Sequence, residues 1–342
     1  MFHNLSQQVK VVLVFSSLFV ILLPPLTYEV LFSPNDRTAG FAVIDIPPGT
    51  GTRGIGKLLA ESNIINSQLG FLIWAKVSGN AKKLKAGEYE LSASWPLPNI
   101  IEKIASGKII VHKVTIPEGF NMKEIAKTFS KTGITDYDSF LASASNPEIL
   151  RQFGIKGKNA EGYLYPETYS FLKSATSSEI VVKMISTFFE RANPVMKKYQ
   201  KNSKLSFGQI VTLASIIEKE TANSDEYGLV SAVYNNRLQQ KIMLQADPTV
   251  IYGLPNYDGD IKKKDLKYDS PYNTYVHWGL PPGPIANPSV SAIVGAYNPS
   301  DVDFTFFVAI GKDGRHFFSN NYDDHRKAVR KYQKKKKKKK RK

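Results

Sequence analysis

The chain has 342 residues, of which 42% are hydrophobic and 22% are charged, a balance typical of a folded protein rather than a disordered one. Cysteine is absent, which excludes disulfides, thiolate metal sites and cysteine nucleophiles. The formal net charge is +16, but residues 334–342 are all basic, so the rest of the chain carries only +7. This basic tail cannot bury apolar surface, and we predict a solvated segment that attracts polyanions.

The N-terminal region contains an uncharged window, Val11–Tyr28, which lies between Lys10 and Glu29. Its 18 residues are enough for a helix that spans a membrane. A cleaved signal peptide is the alternative, but no small-x-small cleavage site follows the apolar core. We therefore predict that residues 1–32 form a short cytoplasmic segment and an uncleaved transmembrane anchor.

The region after the anchor contains an internal repeat. The segment Val43–Gly49 recurs 70 positions later as Lys113–Gly119, and the ungapped match continues through Ile55 and Ile125. Each copy has the pattern of a short strand, a turn made by Pro and Gly, and an amphipathic helix. The predicted elements are helices at Ile55–Ser62 and Met122–Thr132 and a further strand at Tyr89–Ser92. This plan suits a small carbohydrate-binding module.

The second half of the chain is predicted to combine helices with one hairpin, so the expected fold class is α+β. The expected helices are Ser178–Gln200, Phe207–Thr221, Tyr227–Gln240, Ser289–Tyr297 and Asp323–Gln333, and the hairpin joins Asp303–Ile310 to His316–Ser319. Asn121 and Ser206 are the predicted N-caps of two helices. The Pro-, Gly- and Tyr-rich stretch Gln245–Pro288 is predicted to lack regular structure and to form the wall of a cleft.

Several kinds of active site are excluded by missing motifs. The five histidines do not have the spacing of metal ligands; they are His3, His112, His277, His316 and His325. The sequence contains no G-x-S-x-G elbow and no G-x-G-x-x-G or Walker loop. We therefore predict no metal and no cofactor, and carboxylates are left as the candidate catalytic groups.

The most suggestive carboxylates lie at the end of the predicted helix Phe207–Thr221. Its apolar stripe consists of Ile210, Leu213, Ala214 and Ile217. Glu218 and Glu220 flank this stripe, each about 80° from it. A carboxyl group at the edge of an apolar surface is desolvated, which raises its pKa and suits a general acid. Solvated helix-edge charges are the alternative, and the spacing does not choose between the two glutamates.

Aromatic residues are concentrated in two segments of the second half. They are Tyr163, Tyr165 and Tyr169 in the first, and Tyr252, Tyr257, Tyr268, Tyr272, Tyr275 and Trp278 in the second. Flat rings with polar edges suit the faces of pyranose sugars, whereas core packing is the alternative for many of them.

Six sequence blocks occur in an order that identifies a known family. They are Glu161–Tyr169, Leu213–Thr221, Asn236–Leu238, Leu244–Gly253, Ser270–Tyr275 and Gly279–Pro288. With these blocks the chain resembles the MltG (YceG-like) family of endolytic murein transglycosylases, over about residues 43–332. The resemblance implies that Glu218, the first glutamate of Glu-Lys-Glu, is the catalytic residue. It also implies a LysM-like subdomain at 33–112 and a YceG-like catalytic domain at 113–333, which begins with the second repeat copy.

The family reaction is non-hydrolytic cleavage of the β-1,4 bond between N-acetylmuramic acid and N-acetylglucosamine, which leaves a 1,6-anhydro end and terminates nascent glycan strands. One carboxyl group is enough, because the C6 hydroxyl of the sugar is the nucleophile. We predict substrate-binding residues within or beside the matching blocks: Glu161, Tyr163, Tyr169, Glu220, Asn236, Gln245, Asp247 and Tyr252.

The resemblance further implies a single-pass protein of the bacterial inner membrane with its catalytic domain in the periplasm. The expected partners are glycan strands, the membrane and peptidoglycan synthases, with no nucleic acid. Two alternatives stay open at this point. One is a non-catalytic scaffold that binds peptidoglycan, and the other is a hydrolase that uses Glu218 as acid with Asp247 or Glu167 as the second carboxylate.

Overall fold

The computed structural model describes residues 29, 33–311 and 314–333. Nearly all of the predicted anchor and the whole basic tail, 334–342, lie outside the described residues. Within the described part, none of the helices has both the length and the hydropathy that a bilayer crossing needs. The described elements are helices and three two-stranded sheets, which confirms the mixed α+β class.

The chain divides into two compact units, the first of which ends at His112 and also includes Ser170–Ser174. Its elements are β1 (Phe41–Ile46), α1 (Thr52–Glu61), α2 (Gln68–Val77), β2 (Gly87–Ser92) and α3 (Leu97–Ser106). Strands β1 and β2 are antiparallel, and their register pairs Phe41 with Ser92 and Ile46 with Gly87. Alternate residues of β1 face inward, as a half-buried strand requires, and join a core contributed by all five elements.

The second unit contains Lys113–Tyr169 and the residues from Ala175 onward. Its elements, with β3 and β4 extending across the division, are β3 (His112–Thr115), α4 (Met122–Thr132), α5 (Tyr137–Ala144), α6 (Pro147–Gln152), β4 (Thr168–Phe171), α7 (Ser177–Tyr199), α8 (Phe207–Glu220), α9 (Tyr227–Gln239), α10 (Asp247–Gly253), α11 (Val290–Tyr297), β5 (Phe306–Ala309), β6 (His316–Ser319) and α12 (Tyr322–Tyr332). Strand β3 pairs with β4, and the β5–β6 hairpin is antiparallel with Phe306 opposite Ser319.

The internal repeat is visible in the local structure of both copies. The first residues of helices α1 and α4 are 70 positions apart, and each helix follows a strand and a tight turn. The turn glycines Gly49 and Gly119 both have positive φ, at 81° and 73°. Asn63, with φ of 54°, takes the place of Gly133, with φ of 69°, because asparagine tolerates the left-handed region. The repeat therefore conserves the turns as well as the apolar positions.

Helix α8 is the central helix of the second unit and packs against α9, α10 and α11. The four residues of the predicted stripe are buried, but so is every other residue from Ile210 to Ile217, so burial is not confined to one face of the helix. The small polar residues of the helix are buried as well; Ser215, for example, donates a hydrogen bond to the carbonyl oxygen of Thr212. The first turn and the last turn of the helix reach solvent, and Glu218 and Glu220 lie in the last one.

Other predictions about local structure are confirmed or corrected. Asn121 and Ser206 are the N-caps of α4 and α8, and both form capping boxes. Helix α1 begins three residues before the predicted start, because its N-cap Gly51 has no side chain to mark the boundary. The stretch Gln245–Pro288 is not wholly irregular. It contains α10, in which Pro248 occupies the first turn, where a missing N–H is tolerated, and a 3₁₀ turn at Asp265–Lys267.

The cap of the central helix generates a stability prediction. The Ser206 hydroxyl accepts the Gln209 N–H at 3.4 Å, and the Gln209 side chain accepts the Ser206 N–H at 2.9 Å. We expect Ser206→Ala to lower the free energy of unfolding by about 1 kcal/mol. Urea denaturation measures the change. Ser130→Ala, at an exposed position inside α4, is the control and should be neutral or slightly stabilising; equal effects of the two changes would contradict the prediction.

Candidate active site

Glu218 lies in the last turn of α8 and faces the start of α11. Ser289, the N-cap of α11, donates two hydrogen bonds to Oε2 of Glu218, from its backbone N–H at 2.8 Å and from its hydroxyl at 2.6 Å. The same hydroxyl accepts the N–H of Ala292 at 3.2 Å. The hydroxyl of Tyr227 donates to Oε1 of Glu218 at 2.9 Å. Both oxygens of the carboxyl group therefore accept hydrogen bonds, Oε2 from Ser289 and Oε1 from Tyr227.

These donors are not equivalent, and the difference decides where a proton on Glu218 resides. A backbone N–H can only donate, so Oε2 always needs a lone pair for Ser289. The hydroxyl of Tyr227 can rotate and either donate or accept. Burial, together with the charge of Glu218, raises the pKa of Tyr227, so this hydroxyl stays neutral. A protonated Glu218 therefore carries its proton on Oε1, the oxygen that faces Tyr227.

The turn after β3 packs directly on Glu218. A Cβ added to Gly119 in this turn would lie 3.5 Å from Cγ of Glu218, which is van der Waals contact. Lys219 ties the turn to α8, because its Nζ donates to the carbonyl oxygen of Gly119 at 3.1 Å. The preceding residue, Glu118, is largely exposed, and its pKa is raised by partial desolvation of the carboxyl group and by the charge of Glu218. Glu118 is thus a second carboxylate of the same site.

Sequence reasoning missed Glu118, and the repeat contained the signal that could have found it. The first copy has Pro48 at the equivalent position, between the same Pro and Gly neighbours. A carboxylate that replaces a proline in only one copy of a repeated turn indicates a role specific to that copy. Tyr227 and Ser289 were also missed as site residues, because each lies at a helix start whose direction only the fold determines.

Glu161 was predicted to bind substrate, but the structure places it in the interior, where it is 3% exposed. It accepts the N–H of Met122 at 3.0 Å, the amide of Asn287 at 3.0 Å and the hydroxyl of Tyr252 at 3.1 Å. Burial outweighs these donors and raises the pKa of Glu161 to about 7. Glu161 therefore joins Tyr252 and Asn287 through buried hydrogen bonds. Direct contact with substrate stays a prediction for Glu161 and Tyr252.

Tyr163 and Tyr169, two further predicted binding residues, are also buried. The ring of Tyr163 packs edge-on against Phe188, with centroids 5.1 Å apart, and stacks near Phe189. The hydroxyl of Tyr169 donates to the carbonyl oxygen of Tyr165 at 2.7 Å. Both tyrosines are therefore packed in the core in this structure, and their contact with substrate stays a prediction.

Glu220 lies on the other side of the end of α8, in a separate cluster. Tyr234 donates to Oε1 of Glu220 at 2.7 Å, and the two tyrosines that hold Glu218 and Glu220 are seven residues apart on α9. Burial raises the pKa of Glu220 to about 7, opposed by the Tyr234 bond, with a further upward contribution from Asp247 and a downward one from Arg237. Glu220 and Asp247, both predicted binding residues, are thus brought close together.

The remaining predicted binding residues are divided between exposed and structural positions. Asp247 is exposed and accepts the hydroxyl of Tyr275 at 2.7 Å. Gln245 is also exposed, and its φ of 52° places a side chain in the left-handed region, where strain tends to mark functional positions. Asn236 instead donates to the carbonyl oxygens of Val302 and Phe304, and so it anchors the chain before β5. Gln245 and Asp247 stay the better placed candidates for substrate contact.

Other parts of the described chain offer less chemistry than the Glu218 site. Among the described residues, no three His, Asp or Glu side chains are grouped so that they could hold a metal ion. A cavity of about 520 Å³ is lined by residues of 130–136 and 175–177, and its carboxylate, Asp136, is occupied as the N-cap of α5. Glu218, with Glu118 on the adjoining turn, is therefore the centre on which a reaction can be built.

The chain is similar to proteins of a known family. The model of the YceG-like family matches residues 44–331, so the chain belongs to this family. An endolytic murein transglycosylase of Bacillus subtilis (strain 168) is 31% identical over 321 residues, which cover 88% of each protein. One from Streptococcus pneumoniae serotype 2 (strain D39) is 29% identical, and the match covers 84% of this chain and 58% of that protein.

A solved structure supports the same assignment. The crystal structure of a yceG-like protein from Listeria monocytogenes is 31% identical in sequence and superimposes with a TM-score of 0.56. The match covers 85% of this chain and 99% of that chain. The resemblance inferred from the six sequence blocks is thereby confirmed at the level of the family.

The raised pKa of Glu220 generates a prediction about pH. Its pKa rises from 4.5 to about 7 on folding, so its contribution to stability is fully present below pH 4.5 and is lost as the pH rises through 7. Glu220→Gln keeps an oxygen for Tyr234 but cannot ionise. We expect the variant to lose less stability than the native chain between pH 4.5 and 7, by on the order of 1–2 kcal/mol.

Urea unfolding at several pH values measures this slope. Glu148→Gln, which removes an exposed carboxylate at the start of α6, is the matched control and should leave the slope unchanged. A slope for Glu220→Gln equal to that of the native chain would contradict the raised pKa.

Proposed function

We propose that this protein is an endolytic murein transglycosylase, a lyase that cleaves the β-1,4 bond between N-acetylmuramic acid and N-acetylglucosamine and leaves a 1,6-anhydro end. The observation that carries the proposal is Glu218, held by Tyr227 and Ser289 at the solvent-reaching end of a buried helix in a chain of the YceG-like family. Relatives named endolytic murein transglycosylase, about 30% identical over most of the chain, support it.

The geometry suggests how the reaction proceeds. Protonated Glu218 transfers its proton from Oε1 to the glycosidic oxygen, and the bond from that oxygen to C1 of the muramic acid breaks. The C6 hydroxyl of the same sugar then attacks C1, and its proton passes to Oε1 of Glu218, which restores the starting state. Because the attack is intramolecular, much of its entropic cost is already met by the ring. Ser289 keeps Oε2 fixed throughout.

The substrate enters on the side of Oε1 in this proposal. The glycosidic oxygen must replace or share the position of the Tyr227 hydroxyl, which already lies at hydrogen-bonding distance from Oε1. Gln245 and Asp247 are proposed to contact more distant sugars, because both are exposed near the end of the same helix cluster. We further propose the periplasmic face of the inner membrane as the location, with nascent glycan strands as the substrate and peptidoglycan synthases as partners.

A two-carboxylate hydrolase is the second candidate, and one observation favours it. Glu118 lies beside Glu218, whereas the two partners considered from the sequence are occupied elsewhere. Glu167 pairs with Arg191 at 3.1 Å, and Asp247 accepts a bond from Tyr275. In a hydrolase Glu118 would activate a water molecule, and the product would have a reducing end instead of an anhydro end.

The first experiment identifies the product and the role of Glu218 together. The purified full-length chain is incubated with uncrosslinked glycan strands, and mass spectrometry identifies the new ends, with Glu218→Gln in parallel. We expect 1,6-anhydro ends that fall by at least about a thousandfold in the variant, because the acid is removed. Reducing ends would instead indicate the hydrolase, and binding of strands without any cleavage would indicate a scaffold.

Glu118 is tested by the variant Glu118→Gln, which removes its charge and keeps its shape. We expect kcat to fall about tenfold to a hundredfold with little change in KM, because a carboxylate near C1 stabilises the positive charge that develops in the transition state. Glu148→Gln, an exposed carboxylate in the same unit, serves as the control. Unchanged kcat for Glu118→Gln would remove Glu118 from the mechanism and with it the support for the hydrolase.

A further inference from the structure

The first unit presents an apolar face to solvent on α2. Leu69, Ile73 and Val77 recur at every fourth residue and are 66%, 50% and 74% exposed; we call them the α2 stripe. The opposite face of α2 supplies buried Phe71 and Ala75 to the core of the unit. Single exposed apolar residues are ordinary, but a line of three branched side chains along one helix indicates a surface that is covered.

The charge around the α2 stripe indicates what covers it. The sequence has no acidic residue between Glu61 and Glu88. The same span carries four lysines, Lys76, Lys82, Lys83 and Lys85, all of which are exposed. An apolar helix face with lysines on the same helix and in the segment that follows it is the pattern of elements that lie in the interface of a membrane with anionic lipids.

The first described residues after the predicted anchor sequence lie beside the start of α2. Ser33 and Asn35, among the first described residues, line the same small cavity as Ser67, the N-cap of α2. The amide of Asn35 also donates to the carbonyl oxygen of Asn63. The apolar core of the anchor sequence ends at Leu23, ten residues before Ser33, and ten extended residues reach at most about 35 Å.

We propose that the α2 stripe lies in the interface of an anionic lipid bilayer, with the neighbouring lysines on the phosphates of the lipid headgroups. This inference depends on the proposed membrane location but not on the catalytic activity. A second copy of the chain fits less well, because a two-fold interface would bring the same four lysines together. Three side chains are also too few for a stable protein interface of ordinary size.

The absence of cysteine allows a direct test on the full-length chain. Ile73→Cys, labelled with an environment-sensitive fluorophore, reports on the stripe. Glu102→Cys, at an exposed position of α3 in the same unit, is the matched control. Each protein is reconstituted into vesicles of phosphatidylcholine with phosphatidylglycerol, or of phosphatidylcholine alone, that contain a lipid carrying a nitroxide quencher on its acyl chain.

We expect quenching of the label at position 73 in the anionic vesicles and much weaker quenching in the neutral ones. The label at position 102 should stay unquenched in both. Combining Ile73→Cys with the charge reversals Lys82→Glu and Lys83→Glu should reduce quenching in anionic vesicles towards the neutral value. The unfolding midpoint of each variant, which should match that of the native chain, confirms that these surface changes leave the fold intact.

Three results would overturn the proposal. Equal quenching at positions 73 and 102 would show that the vesicle surface does not select the α2 stripe. Quenching that does not respond to anionic lipid or to the charge reversals would remove the role of the lysines. Self-quenching that grows with the amount of protein per vesicle, without quenching by the lipid, would identify a second copy of the chain as the occupant.

Discussion

The candidate active site depends on the hydrogen bonds of one buried asparagine. Asn287 is 1% exposed, and its backbone and amide groups reach two other segments of the chain. Its carbonyl oxygen accepts the N–H of Gly119, and its backbone N–H and side-chain amide both donate to the carbonyl oxygen of Phe120. The side chain also donates to Glu161 and accepts the N–H of Leu164.

The position of Asn287 makes these bonds consequential for Glu218. Ser289 follows two residues later and donates a hydrogen bond to one oxygen of Glu218. Gly119, to which Asn287 is hydrogen-bonded, lies against Cγ of Glu218. Loss of the amide would leave several buried donors and acceptors without partners, and an unsatisfied buried group costs more than a hydrogen bond contributes. Asn287 therefore links the turn that carries Glu118 to the segment that carries Ser289, the hydrogen-bond donor to Glu218.

The features that the sequence predicted best are those encoded by neighbouring residues. The bounds of α4 and the capping boxes at Asn121 and Ser206 follow from side chains three residues apart, and the structure agrees. Burial of the other face of α8 was not predicted, because it depends on packing against α9, α10 and α11, which periodicity within one helix does not show. Glu118 was missed for the same reason: it meets Glu218 across 100 residues of chain. The choice of Glu218 over Glu220 came from the family resemblance and not from periodicity.

The unequal donors on Glu218 bear on how the protein could be inhibited. Oε2 is committed to a backbone N–H, whereas Oε1 faces a hydroxyl that can move aside. After Glu218 has given its proton to the glycosidic oxygen, Oε1 is negatively charged, and a sugar analogue with a protonated ring nitrogen would form its ion pair there and displace the Tyr227 hydroxyl. Glu118, exposed on the adjoining turn, offers the same cation a second negative charge. Selectivity for such iminosugars over neutral sugars would thus come from the form of the site that follows proton transfer.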